Sequence, residues 1–216
     1  MSIRKTMIAA ICLLVMGLWI PVRAGTPEGL TSKNVSATIT INGTSTVRDW
    51  SCKGPAYVEV VRSNGAEEVP GLGGGIESVR ITVGIDNLDC ENGNKKMNEH
   101  MRKALKAKDH PEIIYSMTKY SVQDSVTIHV RGGLSIGGVI LPADLTAVLK
   151  AINGNGVRAN GETEINMEDF SLKPPSLFLG TVKVDPKVRV KFSVDITPTD
   201  ATTNALHVLQ NPGQAQ

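Results

Sequence analysis

Four histidines, at positions 100, 110, 129 and 207, are the side chains best suited to moving a proton near neutral pH. None stands in a His-Glu-x-x-His pattern or in a close ligand pair, so no metal site is read from them. His129 shares a strand face with Thr127 and Arg131 and is expected to be exposed. His100 falls within a predicted helix and His110 at its stop. Carboxylates offer a second chemistry. Glu162 and Glu164 lie on one face of a predicted strand, and Glu168 and Asp169 are adjacent. Either pair could act as general acid and base in a hydrolase, but no substrate-side feature singles them out, and solvated loop and barrel rim are the better readings. Ser116-Met117-Thr118-Lys119 matches Ser-x-x-Lys formally. In a strand, residues three apart point to opposite faces, so a Ser–Lys dyad is not expected there. There is no Gly-x-Ser-x-Gly elbow. Gly73-Gly74-Gly75 lacks the following Lys-Ser/Thr of a phosphate loop and reads as a plain flexible loop.

The elements around these residues are mostly strands. Val35, Ala37, Ile39 and Ile41 alternate with polar residues, a period of two. Gly43-Thr44-Ser45 reads as a bend, and Ala56 to Val61 as a second strand. Residues 62–75, with Asn64-Gly65, Pro70-Gly71 and the glycine triplet, read as a turn-rich connection. Val79, Ile81, Val83 and Ile85 alternate again. The period then changes: Met97, Met101, Ala104 and Leu105 fall on one helical face, with Asn94 as N-cap and Asp109-His110-Pro111 as the stop. The methionine face is expected to pack in the core and the lysine face to be solvated. Strands return at 113–122, 125–136, 139–151 and 158–165, the last with a tight Asn160-Gly161. Residues 166–180 are irregular, and 187–196 form the clearest strand. Asn153-Gly154-Asn155-Gly156 is a hairpin turn. The fold class is therefore all-β. About eight sequential antiparallel strands and one α-helix suggest closure into a barrel, which removes the sheet edges.

The chain has 216 residues, 41% hydrophobic and 4% aromatic, so any core or cavity is mainly aliphatic. Residues 1–24 read as a signal peptide. Arg4 and Lys5 precede the apolar run Met7 to Ile20, and Val22-Arg23-Ala24 offers cleavage before Gly25. Fourteen apolar residues are short for a span, which leaves an uncleaved anchor as the weaker alternative, and no other segment approaches a membrane span. Residues 25–34 are a leader, 35–197 the barrel domain and 198–216 a flexible tail. The formal net charge of +2 falls to −1 once Arg4, Lys5 and Arg23 leave, with 20 basic against 21 acidic residues remaining. That excludes the basic excess a nucleic-acid binder needs. The expected location is periplasmic or secreted. Cys12 leaves with the signal, and Cys52 and Cys90 remain. In an oxidising compartment they are expected to form a disulfide. Two free buried thiols, or a zinc site completed by His100, are the alternatives.

Several segments together resemble the YceI-like family, exported bacterial proteins with a lipocalin-like barrel that bind polyisoprenoid lipids. Ile41 to Trp50 (INGTSTVRDW) resembles an early family strand. His110-Pro111-Glu112-Ile113-Ile114-Tyr115 resembles the helix-to-strand junction. Arg131 to Val139 (RGGLSIGGV), Ile165 to Leu172 and Asp185 to Val190 resemble later segments in the same order. Residues 62–75 look like an elaboration of a shorter loop. The resemblance implies no enzyme and no cofactor, and a barrel holding a long-chain isoprenoid or similar apolar lipid. Physical reasoning alone leaves a hollow and a filled barrel open. A filled barrel would be an interaction module, and a hydrolase using Glu162 or Glu164 is the further alternative.

The expected lining is Trp50, Ile81, Val83, Tyr115, Leu134, Ile136, Val190 and Phe192. Within 130–136, Val130, Gly132, Leu134 and Ile136 share the inward face. Gly132 is expected to leave open space beside Leu134 and Ile136.

Overall fold

The computed structural model describes residues 30–32, 36–153, 156–177 and 180–196. Its strands are β1 (Leu30–Ser32), β2 (Ser36–Ser45), β3 (Trp50–Val69), β4 (Gly74–Gly84), β5 (Asp89–Cys90), β6 (Glu112–Val122) and β7 (Thr127–Ile136). β8 (Val139–Ile152), β9 (Gly156–Asn166), β10 (Ser176–Leu177) and β11 (Val182–Ile196) follow. One α-helix, α1 (Lys95–Ala104), joins β5 to β6. The long strands pair antiparallel in the order β3-β2-β11-β9-β8-β7-β6-β4, and β3 pairs β4 to close the ring. The result is an eight-stranded closed antiparallel barrel with one helix. Closure leaves the long strands no free edge, which is why aliphatic strands of this length can remain unaggregated.

Alternation places one face of every long strand inside. Along each strand the interior changes character from end to end. On β7, Ile128 belongs to a packed aliphatic cluster, whereas Leu134 and Ile136 belong to a second cluster. On β11, Val194 and Ile196 lie in the first cluster and Val188 in the second. The first cluster fills one end of the barrel with Val58, Val60, Ile128, Leu149, Val157 and Ile196.

Residues 62–75 are more than a turn-rich connection. β3 continues to Val69 through irregular pairing with β4, and the turn folds over the packed end. Val69, Leu72 and Ile76 are buried in that cluster. The Tyr120 hydroxyl accepts from the Ile76 amide at 3.0 Å and donates to the Glu67 carbonyl, while Arg62 donates to the Leu72 carbonyl. Gly71, at φ +82°, lies against Val157, where an added Cβ would stand 2.8 Å from a methyl carbon. The glycines and proline that read as a loop shape a plug. Their apolar neighbours were the missed signal.

Other differences are local. Leu30–Ser32, inside the expected leader, pairs with Val60–Arg62 as a short strand. β2 runs through Gly43 to Ser45 without the expected bend, and β9 runs through Asn160-Gly161 without a turn. The irregular stretch contains a short 3-10 helix, Met167–Phe170, with the Asn166 side chain accepting from the Glu168 amide at 3.1 Å. The expected signal peptide, most of the leader, the tail and His207 lie outside the described residues.

Candidate functional site: a half-barrel cavity

The end of the barrel opposite the plug encloses a cavity of about 280 Å3. That is near the lower edge of the size range of small-molecule sites. All eight residues expected to line it do so: Trp50 on β3, Ile81 and Val83 on β4, Tyr115 on β6, Leu134 and Ile136 on β7, and Val190 and Phe192 on β11. Each strand contributes alternate residues because the pleat turns every second side chain inward. The remaining wall is aliphatic too, with Ile39, Ile41, Leu145, Ile165 and Val188. Polar side chains are few: Ser45, Arg48, His100, Thr163 and the Tyr115 hydroxyl.

Three aromatics reach the wall by lying over glycines. Trp50 pairs across from Gly43, and a Cβ there would stand 2.6 Å from Trp50 Cε2. Phe192 pairs with Gly161 and covers it in the same way. Tyr115 covers Gly132, whose added Cβ would meet Tyr115 Cζ at 2.6 Å and the Ser116 carbonyl oxygen at 2.5 Å. The expectation that Gly132 leaves open space is therefore wrong at that point. Its missing side chain admits the Tyr115 ring. Glycine does widen the lumen, but indirectly, by letting each ring sink toward the wall. Cross-strand packing of aromatics on glycine is a known way to stabilise strands that carry glycine.

Tyr115 is buried, and its hydroxyl donates to the Ala143 carbonyl at 3.4 Å. Burial, with a smaller contribution from the Asp144 carboxylate, pushes its pKa up to about 12. The phenol is neutral at physiological pH, as an apolar wall requires.

The mouth is built by α1, the turn between β2 and β3, and Leu172, Pro175, Val182 and Val184. Met97, His100, Met101, Ala104 and Leu105 turn inward from α1. The methionine face is thus not simply core: none of the helix's residues is fully buried, and its apolar stripe roofs the cavity. The amphipathic spacing was legible in the sequence, but what the stripe faced was not. Asn94 caps the helix, accepting from the Met97 amide at 3.2 Å. Three ties hold α1 in place. Cys52 and Cys90 form a disulfide directly across the β3–β5 pair, both buried. Asn98 accepts from the Cys90 amide at 2.8 Å and donates to Asp89 at 3.0 Å. Arg102 pairs with Asp86 at 2.7 Å. The alternatives of free thiols and of zinc with His100 fall away.

The other residues singled out for chemistry lie elsewhere. Glu162 and Glu164 face outward on β9, where Glu162 pairs with Arg189 at 3.2 Å and Lys191 at 3.6 Å, and Glu164 with Lys187 at 3.4 Å. His129 is exposed and shares a hydrogen bond with the Thr146 hydroxyl at 3.0 Å. Ser116 and Lys119 are not on opposite faces. A register shift between Met117 and Lys119 inserts a residue, so Tyr115 and Tyr120 both point in while Ser116 and Lys119 lie outward. The bulge breaks the period-two rule used to separate them. Ser116 accepts from Arg80 at 3.4 Å, and no hydrogen bond joins it to Lys119 among the described residues. No group of three or more His, Cys, Asp or Glu among the described residues could hold a metal ion. No described helix is long and apolar enough to cross a membrane.

The YceI-like domain model matches residues 23–196, which includes every strand of the barrel. The chain belongs to the YceI-like family. Solved structures share the YceI-like fold at low identity. Burkholderia cenocepacia BcnA is 17% identical with a TM-score of 0.57, over 75% of this chain and 96% of that one. A polyisoprenoid binding domain from Saccharophagus degradans is 10% identical with a TM-score of 0.54, over 79% of this chain and all of that one. Campylobacter jejuni YCEI is 17% identical with a TM-score of 0.50, over 64% of this chain and 79% of that one. Comparison with curated protein sequences gives no match.

Proposed function

We propose that this YceI-like protein is exported and holds or carries a long-chain isoprenoid or similar apolar lipid in its half-barrel cavity, without catalysing a reaction on it. The observation that carries the reading is the composition of the wall: an aliphatic and aromatic lumen with four polar side chains and one phenol, open at the α1 end. Such a wall recognises a ligand by desolvation, at about 0.8 kcal/mol for each buried CH2. Family membership and the polyisoprenoid-binding neighbour support the choice of lipid. The buried disulfide is compatible with an oxidising compartment.

Native mass spectrometry of protein recovered from its own host tests the reading. A bound lipid is expected in the parent and not in Ile136→Trp, because Ile136 is buried on the cavity wall. The variant's larger ring is expected to occupy lumen space at a stability cost of roughly 1–3 kcal/mol. Lipid-free parent protein, or unchanged lipid in a folded variant, would count against a carrier.

A further inference from the structure

The outward face of α1 is strongly basic. Residues 95–108 carry Lys95, Lys96, Arg102, Lys103, Lys106 and Lys108 against one carboxylate, Glu99, in a chain whose formal net charge is only +2. Asp109 follows directly. Of the six cations only Arg102 is in an ion pair among the described residues, with Asp86. Lys95, Lys96, Lys103 and Lys108 are exposed. Met97, Met101, Ala104 and Leu105 face the cavity, so Lys95, Lys96 and Lys103 lie on the opposite side of the helix.

The last-turn Arg102 and Lys103 suit the helix dipole, but the first turn opposes it. The N-terminus of a helix carries partial positive charge and favours carboxylates, yet α1 opens with Lys95-Lys96 and has no acidic residue in its first turn. Solvated helices more often interleave charges of both signs. Sequence features that work against local stability concentrate at functional sites. At the cavity mouth that α1 helps to build, Val47 is 64% exposed.

We propose that the basic face of α1, with the exposed Val47 at the same mouth, docks the protein on the surface of an anionic lipid bilayer. The inference rests on the lipid-holding reading for its choice of partner. A long apolar molecule resides in a bilayer and is nearly insoluble in water. A mouth pressed to the bilayer spares it the aqueous path. Juxtaposed lysines gain from the negative surface potential, each contributing on the order of a fivefold increase in affinity. An exposed valine adds apolar contact at the interface.

Co-sedimentation with vesicles tests the surface directly. One set is phosphatidylcholine alone, and the other is phosphatidylcholine mixed with phosphatidylglycerol. The protein is expected to bind only the mixed vesicles at low salt. It is expected to be released in about 1 M salt, where screening acts beyond roughly 3 Å. Lys95→Glu/Lys96→Glu is expected to lose at least tenfold in vesicle affinity. These substitutions place carboxylates where the helix dipole favours them, so loss of folding is not a competing cause. The double variant is expected to take up a fluorescent long-chain alkyl probe from solution as well as the parent does. A parent that ignores phosphatidylglycerol, or a double variant that binds vesicles like the parent, overturns the docking surface. Failure of probe uptake in both proteins, with vesicle binding intact, overturns the carrier reading and supports the docking surface.

Discussion

Gly43→Ala tests whether glycines set the width of the lumen. The backbone at Gly43 is an ordinary strand, so alanine is conformationally acceptable there. Exchanging glycine for alanine would by itself stabilise by about 0.4–1 kcal/mol through the unfolded chain. The new Cβ, however, meets Trp50 at 2.6 Å from Cε2 and 3.0 Å from Cη2, and its three nearest atoms all belong to that ring. The indole must therefore move, and the lumen is the open direction. Overpacking of this kind costs roughly 1–3 kcal/mol. The Trp50 Nε1 hydrogen bond to the Thr44 carbonyl, 3.2 Å, is expected to break, at about 1 kcal/mol more. The net expectation is a loss of about 1–3 kcal/mol, or roughly 2–12 °C in Tm for a domain of this size.

Fluorescence reads the ring itself. The sequence has two tryptophans, Trp19 and Trp50, and Trp19 falls in the expected signal segment. Emission of the exported form then reports Trp50 alone, and Gly43→Ala is expected to shift it and to weaken lipid uptake together. Adding Trp50→Phe should restore part of the stability, because the smaller ring relieves the clash. The coupling between the two changes is then read from a double-mutant cycle. Unchanged emission, melting and uptake in Gly43→Ala would refute the idea that the glycine holds the ring off the lumen.

Three further outcomes are expected. Cys52→Ser/Cys90→Ser should lower stability by roughly 3–4 kcal/mol, from chain entropy over a separation of 38 residues, and thiol titration of denatured, unreduced parent should find no free cysteine in the exported form. Tyr115, neutral and raised to about 12 in the fold against 10.0 for a free phenol, binds its proton more tightly when folded; its contribution is present below pH 10 and lost between about pH 10 and 12, so Tyr115→Phe should flatten the stability curve in that window, with tyrosinate absorbance as the check. N-terminal sequencing of exported protein should begin at Gly25, and a start elsewhere would refute the cleavage expected after Ala24.

The sequence by itself determined which side chains share a face. Alternation along a strand is a local property, so Leu134 and Ile136, or Val190 and Phe192, are grouped before any partner strand is known. The helix was legible for the same reason: Asn94 and the Met97, Met101, Ala104, Leu105 spacing act within a few turns. The expected export signal is likewise a contiguous segment. Tertiary structure decided everything that depends on register between distant strands. Gly43, Gly132 and Gly161 read as a bend, a gap and a turn, and each is a seat for a ring on a neighbouring part of the sheet. The bulge after Met117 reverses the face of Lys119, and nothing within the strand announces it. The same holds for the division of the lumen. Residues 62–75 carry turn signals that outweigh Val69 and Leu72 locally, yet once the β3–β4 ladder brings them over the barrel end, those two side chains close it. Whether an inward aliphatic face is packed or hollow depends on what the opposite wall supplies, and only the closed barrel sets that distance.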